Sequence, residues 1–171
     1  MYSLINGESN MASFVYDNAW KHILAGNMDF SDDAATDSTQ HTFNMVLVTS
    51  SYTPSQGSDE YYSTISGGSG YEAADTGSPP ANEGYEAGGK ETTPTVTVDG
   101  TNHDIEISFS SVSWTSATVA ATAAVVYRDT GTDGTSQLLA YLDFGGLVQS
   151  TDGTYQVTVS TPLTINNDPS T

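Results

Sequence analysis

Apolar and polar positions alternate along most of the second half of the chain. TPTVTVD and HDIEISF each read as a half-buried strand, and Asp99–Gly100–Thr101–Asn102 makes the turn between them. Ile105, Ile107 and Phe109 fall on one face, which the pattern predicts to be buried. Val112 and Trp114 follow. VAATAAVVYRD is then a longer strand whose alanines predict close packing against another layer. Residues 130–135, rich in Gly, Thr and Asp, form a hairpin loop into LLAYLDF. There Leu139, Tyr141 and Asp143 lie on one face and Leu138, Ala140, Leu142 and Phe144 on the other. Asp152–Gly153 reads as another turn, and YQVTVSTPLTI closes the chain. Upstream, Phe43, Met45 and Leu47 alternate with Asn44, Val46 and Val48. That suits a strand buried on one face and partly on the other, ended by Pro54. Six or seven such strands, with turn signals about every ten residues, predict a mainly β protein built as an antiparallel β-sandwich with long loops.

One stretch has a helical period instead. MASFVYDNAWKHILAG, starting at Met11, reads as a single amphipathic helix at the N-terminal end. Ser13 is placed to cap it, and Val15, Ala19 and Ile23 form its apolar stripe with Trp20 and Leu24 beside them. Lys21 and His22 sit in the last turn, where positive charge suits the helix dipole, and Gly26 supplies a left-handed end. Met11 reads as an alternative start. This divides the chain into an N-terminal extension, residues 1–10, and a single β-rich domain, residues 11–171.

Two segments break the pattern. Residues 27–42 hold Asp29, Asp32, Asp33 and Asp37 with few apolar side chains and read as an exposed acidic loop. Residues 53–91 contain ISGGSG, TGSPPAN and EAGGK and read as a flexible Gly/Ser/Tyr-rich loop, too poor in apolar side chains to order itself. The run GYEA recurs in it, at residues 70–73 and 84–87. Its tyrosines are unusual for a tether and suit docking on a protein neighbour better than stacking on sugar rings. Tyr61, Tyr62, Tyr71 and Tyr85 are therefore the expected partner-binding anchors, since tyrosine supplies contact area at low entropy cost.

Composition narrows the function. The 171 residues fit one domain, with 21 acids against 3 bases and a net charge of −18. Such a chain lacks the clustered Lys and Arg that nucleic acid requires, and anionic membranes repel it. The scarcity of Lys with abundant Asp and Thr suits a salty medium. Without cysteine there is no disulfide framework, iron–sulfur cluster or thiolate nucleophile. No apolar run approaches the ~18 residues of a membrane span. MYSLINGES has neither the basic nor the apolar part of a secretory signal.

Candidate chemistry is sparse. His22, His41 and His103 fall in three different elements, which suits surface histidines better than a metal site. No G-x-S-x-G elbow is present, and most carboxylates sit in loops where a pKa is hard to raise. Asp129–Gly134 begins like a calcium loop but has Gly131 at the third position and Ala140 at the twelfth, so a hairpin turn accounts for it. Trp20 and Trp114 are expected in the core. No catalytic residue, metal or cofactor is expected, and the chain does not read as an enzyme.

MASFVYDNAWKHILAG, MVLVTSSYTP, GYEAGGK, TVTVD, SVSWTSATVAATAAVVYRDTGT and LLAYLDFG follow one another across most of residues 11–146. In this combination the chain resembles a family of small structural proteins encoded by tailed bacteriophages. It departs from that pattern in its extra N-terminus, a longer acidic loop at 29–41 and an expanded glycine-rich loop around 66–84. The resemblance implies a virion component made in many copies. The expected role is a capsid decoration or cement protein on the outer capsid surface, with the major capsid protein as partner and copies assembled as trimers or dimers. A tail, collar or head-fibre protein in contact with host glycans is the alternative.

Overall fold

The computed structural model describes residues 13–30, 41–68, 70–80 and 83–165. The extension 1–10, and Asp32, Asp33 and Asp37 of the acidic loop, lie outside the described residues. The elements are β1 (Phe14–Val15), α1 (Asp17–Leu24), β2 (Thr42–Val48), α2 (Ser63–Ser66), β3 (Lys90–Glu91), β4 (Pro94–Asp99), β5 (Asp104–Phe109), β6 (Val112–Asp129), β7 (Leu138–Val157) and β8 (Leu163–Ile165). They form two antiparallel sheets, a five-stranded one in the order β1-β7-β6-β2-β3 and a three-stranded one in the order β4-β5-β8. The mainly β, sandwich-like architecture with a short N-terminal helix is the one the alternation predicts.

The spine is the hairpin of β6, 18 residues, and β7, 20 residues. Asp152–Gly153 is not a turn between strands, as its composition suggested. β7 runs through it, with Gly153 paired to Ala117. The register shifts between Trp114 and Ala117, and Ser116 (φ 51°) and Asp152 (φ 45°) stand in the left-handed region. Turn residues here make a bulge inside a continued ladder. The closing stretch instead splits, and Leu163–Ile165 crosses to pair with β5. β2 pairs with β6 along its whole length, from Thr42 opposite Asp129 to Val48 opposite Ala123. Phe43 and Met45–Val48 are all buried, and so are Ala121, Ala123 and Ala124 of β6, as the alanine-rich pattern required.

The helix is shorter than its period suggests. Phe14 and Val15 pair with Tyr141 and Ala140 at the edge of β7, and Phe14 stacks on Tyr141 at 5.3 Å. Ser13 does not cap a helix; its hydroxyl accepts the Asp143 N–H at 3.1 Å. The open edge of β7 offers this backbone a ladder, and aromatic and β-branched side chains favour it. The helix then begins at Asp17, behind Tyr16, which makes no side-chain cap. Its buried residues are Ala19 and His22, while Leu24 is 87% exposed and Trp20 only half-buried. Gly26 ends the turn at φ 73° as expected.

The largest departure is the segment 53–91. It returns onto the main sheet rather than waiting for a partner. Tyr61 bridges Gln137, and Glu72 bridges Val48. Backbone bonds Tyr62 N–H to Ser136 O (2.8 Å), Ala73 N–H to Leu47 O (2.9 Å) and Gly84 N–H to Thr115 O (2.7 Å) fasten it at three places. Tyr62, Ile65, Ala73 and Tyr85 join the core. Among the described residues no helix is long and apolar enough to cross a membrane.

Candidate docking surfaces and the tyrosine–carboxylate cluster

The four expected anchors divide into two pairs. Tyr62 and Tyr85 are interior, 4% and 5% exposed. Tyr61 and Tyr71 are half-buried, Tyr61 beside the His22 ring and Tyr71 against Tyr52. Tyr62 and Tyr85 use most of their contact area within the chain, which leaves Tyr61 and Tyr71 as the more accessible pair. Tyr62 lies flat on Tyr127, with ring centroids 4.3 Å apart, and Tyr85 packs on Trp114 at 5.3 Å.

Glu72 ties this arrangement together. It accepts the Tyr62 hydroxyl at 2.5 Å, the Tyr85 hydroxyl at 2.8 Å and the Gly88 N–H at 2.7 Å. The Tyr85 oxygen in turn accepts the Leu47 N–H of β2 at 3.0 Å. Burial, with the Glu72 charge added to it, pushes both hydroxyls far above the usual phenol range, so they stay protonated donors. Burial also pushes Tyr127 up to about 12. The GYEA repeat hinted at this residue without revealing its role. Gly70 and Gly84 share a left-handed conformation, yet Glu72 is central while Glu86 is exposed.

Outside the cluster is an open cleft of about 470 Å³, bordered by Asn44, Ser66, Asp129 and Asp133 besides Tyr62, Tyr127 and Glu72. Its acids are held by the protein's own donors. Asn44 Nδ2 bonds Asp129 at 3.1 Å, and Ser66 bonds Asp133 at 2.6 Å. Among the described residues no group of three His, Asp or Glu is disposed to hold a metal ion. Tyr62 and Tyr127 stack on each other and are almost wholly buried, so these two rings offer no platform for a sugar. Asp129 also accepts the Gly131 N–H at 2.8 Å, the hairpin turn read from the sequence.

The histidines stand in three separate elements. His103 is exposed in the β4–β5 turn, and half-buried His41 accepts the Asp29 N–H at 2.8 Å. His22 departs from the surface reading. It is buried on α1, with Nε2 2.9 Å from Glu60, which also receives Lys21 at 3.3 Å. Partial burial of Glu60 works to raise its pKa, but the bonds from Lys21 and His22 outweigh that and hold the carboxyl below its ordinary range.

The second feature is a face of the β4-β5-β8 sheet. Opposed residues of an antiparallel pair share a face. The register sets Pro94 opposite Phe109, Val96 opposite Ile107, and Val98 opposite Ile105, with Leu163 and Ile165 completing the last two rows. All eight side chains are apolar. Asp99, Asp104 and Glu106 alternate onto the other face with Thr95, Thr97, Ser108 and Thr164. Phe109 and Ile107 are buried, but Val96, Ile105 and Val98 are 42%, 38% and 73% exposed. Ile105 thus leaves the buried face its alternation predicts, because the sheet extends beyond the body that covers its inner end.

No protein-family model, no curated protein and no solved structure matches this chain.

Proposed function

We propose that this chain is a structural protein of a tailed-bacteriophage virion, a decoration or cement protein bound to the outer surface of the major capsid shell. The observation that carries the reading is the uncharged apolar end of the β4-β5-β8 sheet, exposed on a chain of net charge −18. A contiguous apolar face rimmed by polar residues marks a protein-docking surface. On this reading the chain is a component of a protein assembly, and the resemblance across residues 11–146 points to a virion. The strong negative charge supports an outer position, away from packaged nucleic acid. Half-exposed Tyr61 and Tyr71 are left to touch the shell.

Quantitative mass spectrometry of purified particles tests this. The expected result is a copy number of the same order as that of the major shell protein. A handful of copies per particle would assign the chain to a tail, collar or fibre, and none would remove it from the virion.

A further inference from the structure

We propose that the occupant of the apolar sheet end is a second copy of this chain, docked face to face. The inference rests on the assembly reading above and names the partner at that surface.

Exposure is graded along the face. The inner row, Pro94 with Phe109, is buried, while in the outer row Val98 is 73% and Ile105 38% exposed beside half-buried Ile165. A three-stranded sheet with one apolar face half-covered is an incomplete layer, and a second sheet completes a sandwich at roughly 10 Å spacing.

Charge decides what that second sheet belongs to. The chain has 21 acids, and a partner with a basic surface would be met by carboxylates. This face has none. The three acids of β4 and β5 all point to the opposite side, and Asp99 is turned onto its own hairpin, accepting the Thr101 N–H at 2.8 Å and the Asn102 amide at 2.7 Å. The face therefore selects a surface that is equally apolar and uncharged. Another copy presents one by construction. A two-fold axis brings Val98, Ile105 and Ile165 of one copy onto the same row of the other, in the self-complementary manner of an isologous interface. The acidic faces of both sheets then remain in solvent.

This pairing has a distinctive salt dependence. Each copy carries −18, so the long-range term opposes association. Salt shortens the screening length from about 30 Å at 0.01 M to about 8 Å at 0.15 M and weakens that opposition. Pairing through the apolar face strengthens with salt, whereas docking on a basic surface weakens.

Sedimentation velocity of the purified full chain at low and high NaCl reads this directly. The expected result is a shift from single copies towards pairs as salt rises. Val98→Asp is expected to abolish the pair at both salt levels. Val98→Thr keeps the shape and strand preference, and its unpartnered hydroxyl is expected to weaken pairing about tenfold. Circular dichroism of both variants should match the parent, because Val98 is largely exposed. A single copy at every salt level would overturn the inference, as would pairs indifferent to both substitutions or pairs that dissociate as salt rises. Particle abundance separates the two claims. A chain abundant on particles but single in solution contradicts only the pairing. One that pairs but is missing from particles contradicts only the virion assignment.

Discussion

Gly89→Ala is expected to destabilise the fold by about 3 kcal/mol or more, measured by urea or thermal unfolding. Gly89 stands at φ 71° where the chain enters β3 and passes against the backbone of β2. A Cβ there would overlap the Met45 carbonyl oxygen and lie 2.9 Å from the Val46 Cα. Neither neighbour is the movable end of a side chain, so β3 must shift. Its pairs, Asn44 with Glu91 and Met45 with Lys90, would be disturbed. Gly26→Ala is the control. Gly26 has nearly the same φ, 73°, with nothing within 4 Å of the added atom. It is expected to cost only about 1 kcal/mol of backbone strain. Equal losses in the two variants would refute the close approach of β3 to β2.

Glu72→Ala is expected to cost about 3 kcal/mol. Two buried phenol hydroxyls and the Gly88 N–H lose their acceptor together, and a buried donor left unmatched costs about 1–3 kcal/mol. The losses are not additive because the three bonds form one network. Glu72→Gln keeps one acceptor oxygen and is expected to lose less. Hydrogen exchange should locate the damage in residues 83–91 and in β2 near Leu47, where Tyr85 is bonded. An alanine variant within about 0.5 kcal/mol of the parent, the range of ordinary surface changes, would show that Glu72 does not hold the segment down.

The strands β4 and β5 were legible because their alternation is strict and local, and β2 because its short apolar run is bounded by turn residues. The left-handed end at Gly26 was legible for the same reason: only a few neighbouring residues decide it. The start of α1 was not, because Phe14 and Val15 carry a helical period and are overruled by an edge of β7 more than a hundred residues away. Asp152–Gly153 has turn composition, and only the partner strand reveals it as a bulge. The fate of residues 53–91 was hidden in the same way. Their Gly and Ser content gives little apolar area of their own. The missing partners are Tyr127 for Tyr62 and Trp114 for Tyr85, supplied by β6. Glu72 was one acid among 21 until those rings placed two hydroxyls beside it. The apolar face was half legible: the alternation assigned Ile105, Ile107 and Phe109 to one side, but not that the sheet would outrun its cover.

Cryo-electron microscopy of the intact particle tests the central claim most directly, by where density for this fold sits. Regular density over the capsid faces is predicted, with the β6–β7 hairpin recognisable by its length and Tyr61 and Tyr71 turned towards the shell. Density confined to the tail or to a single vertex would contradict the decoration role.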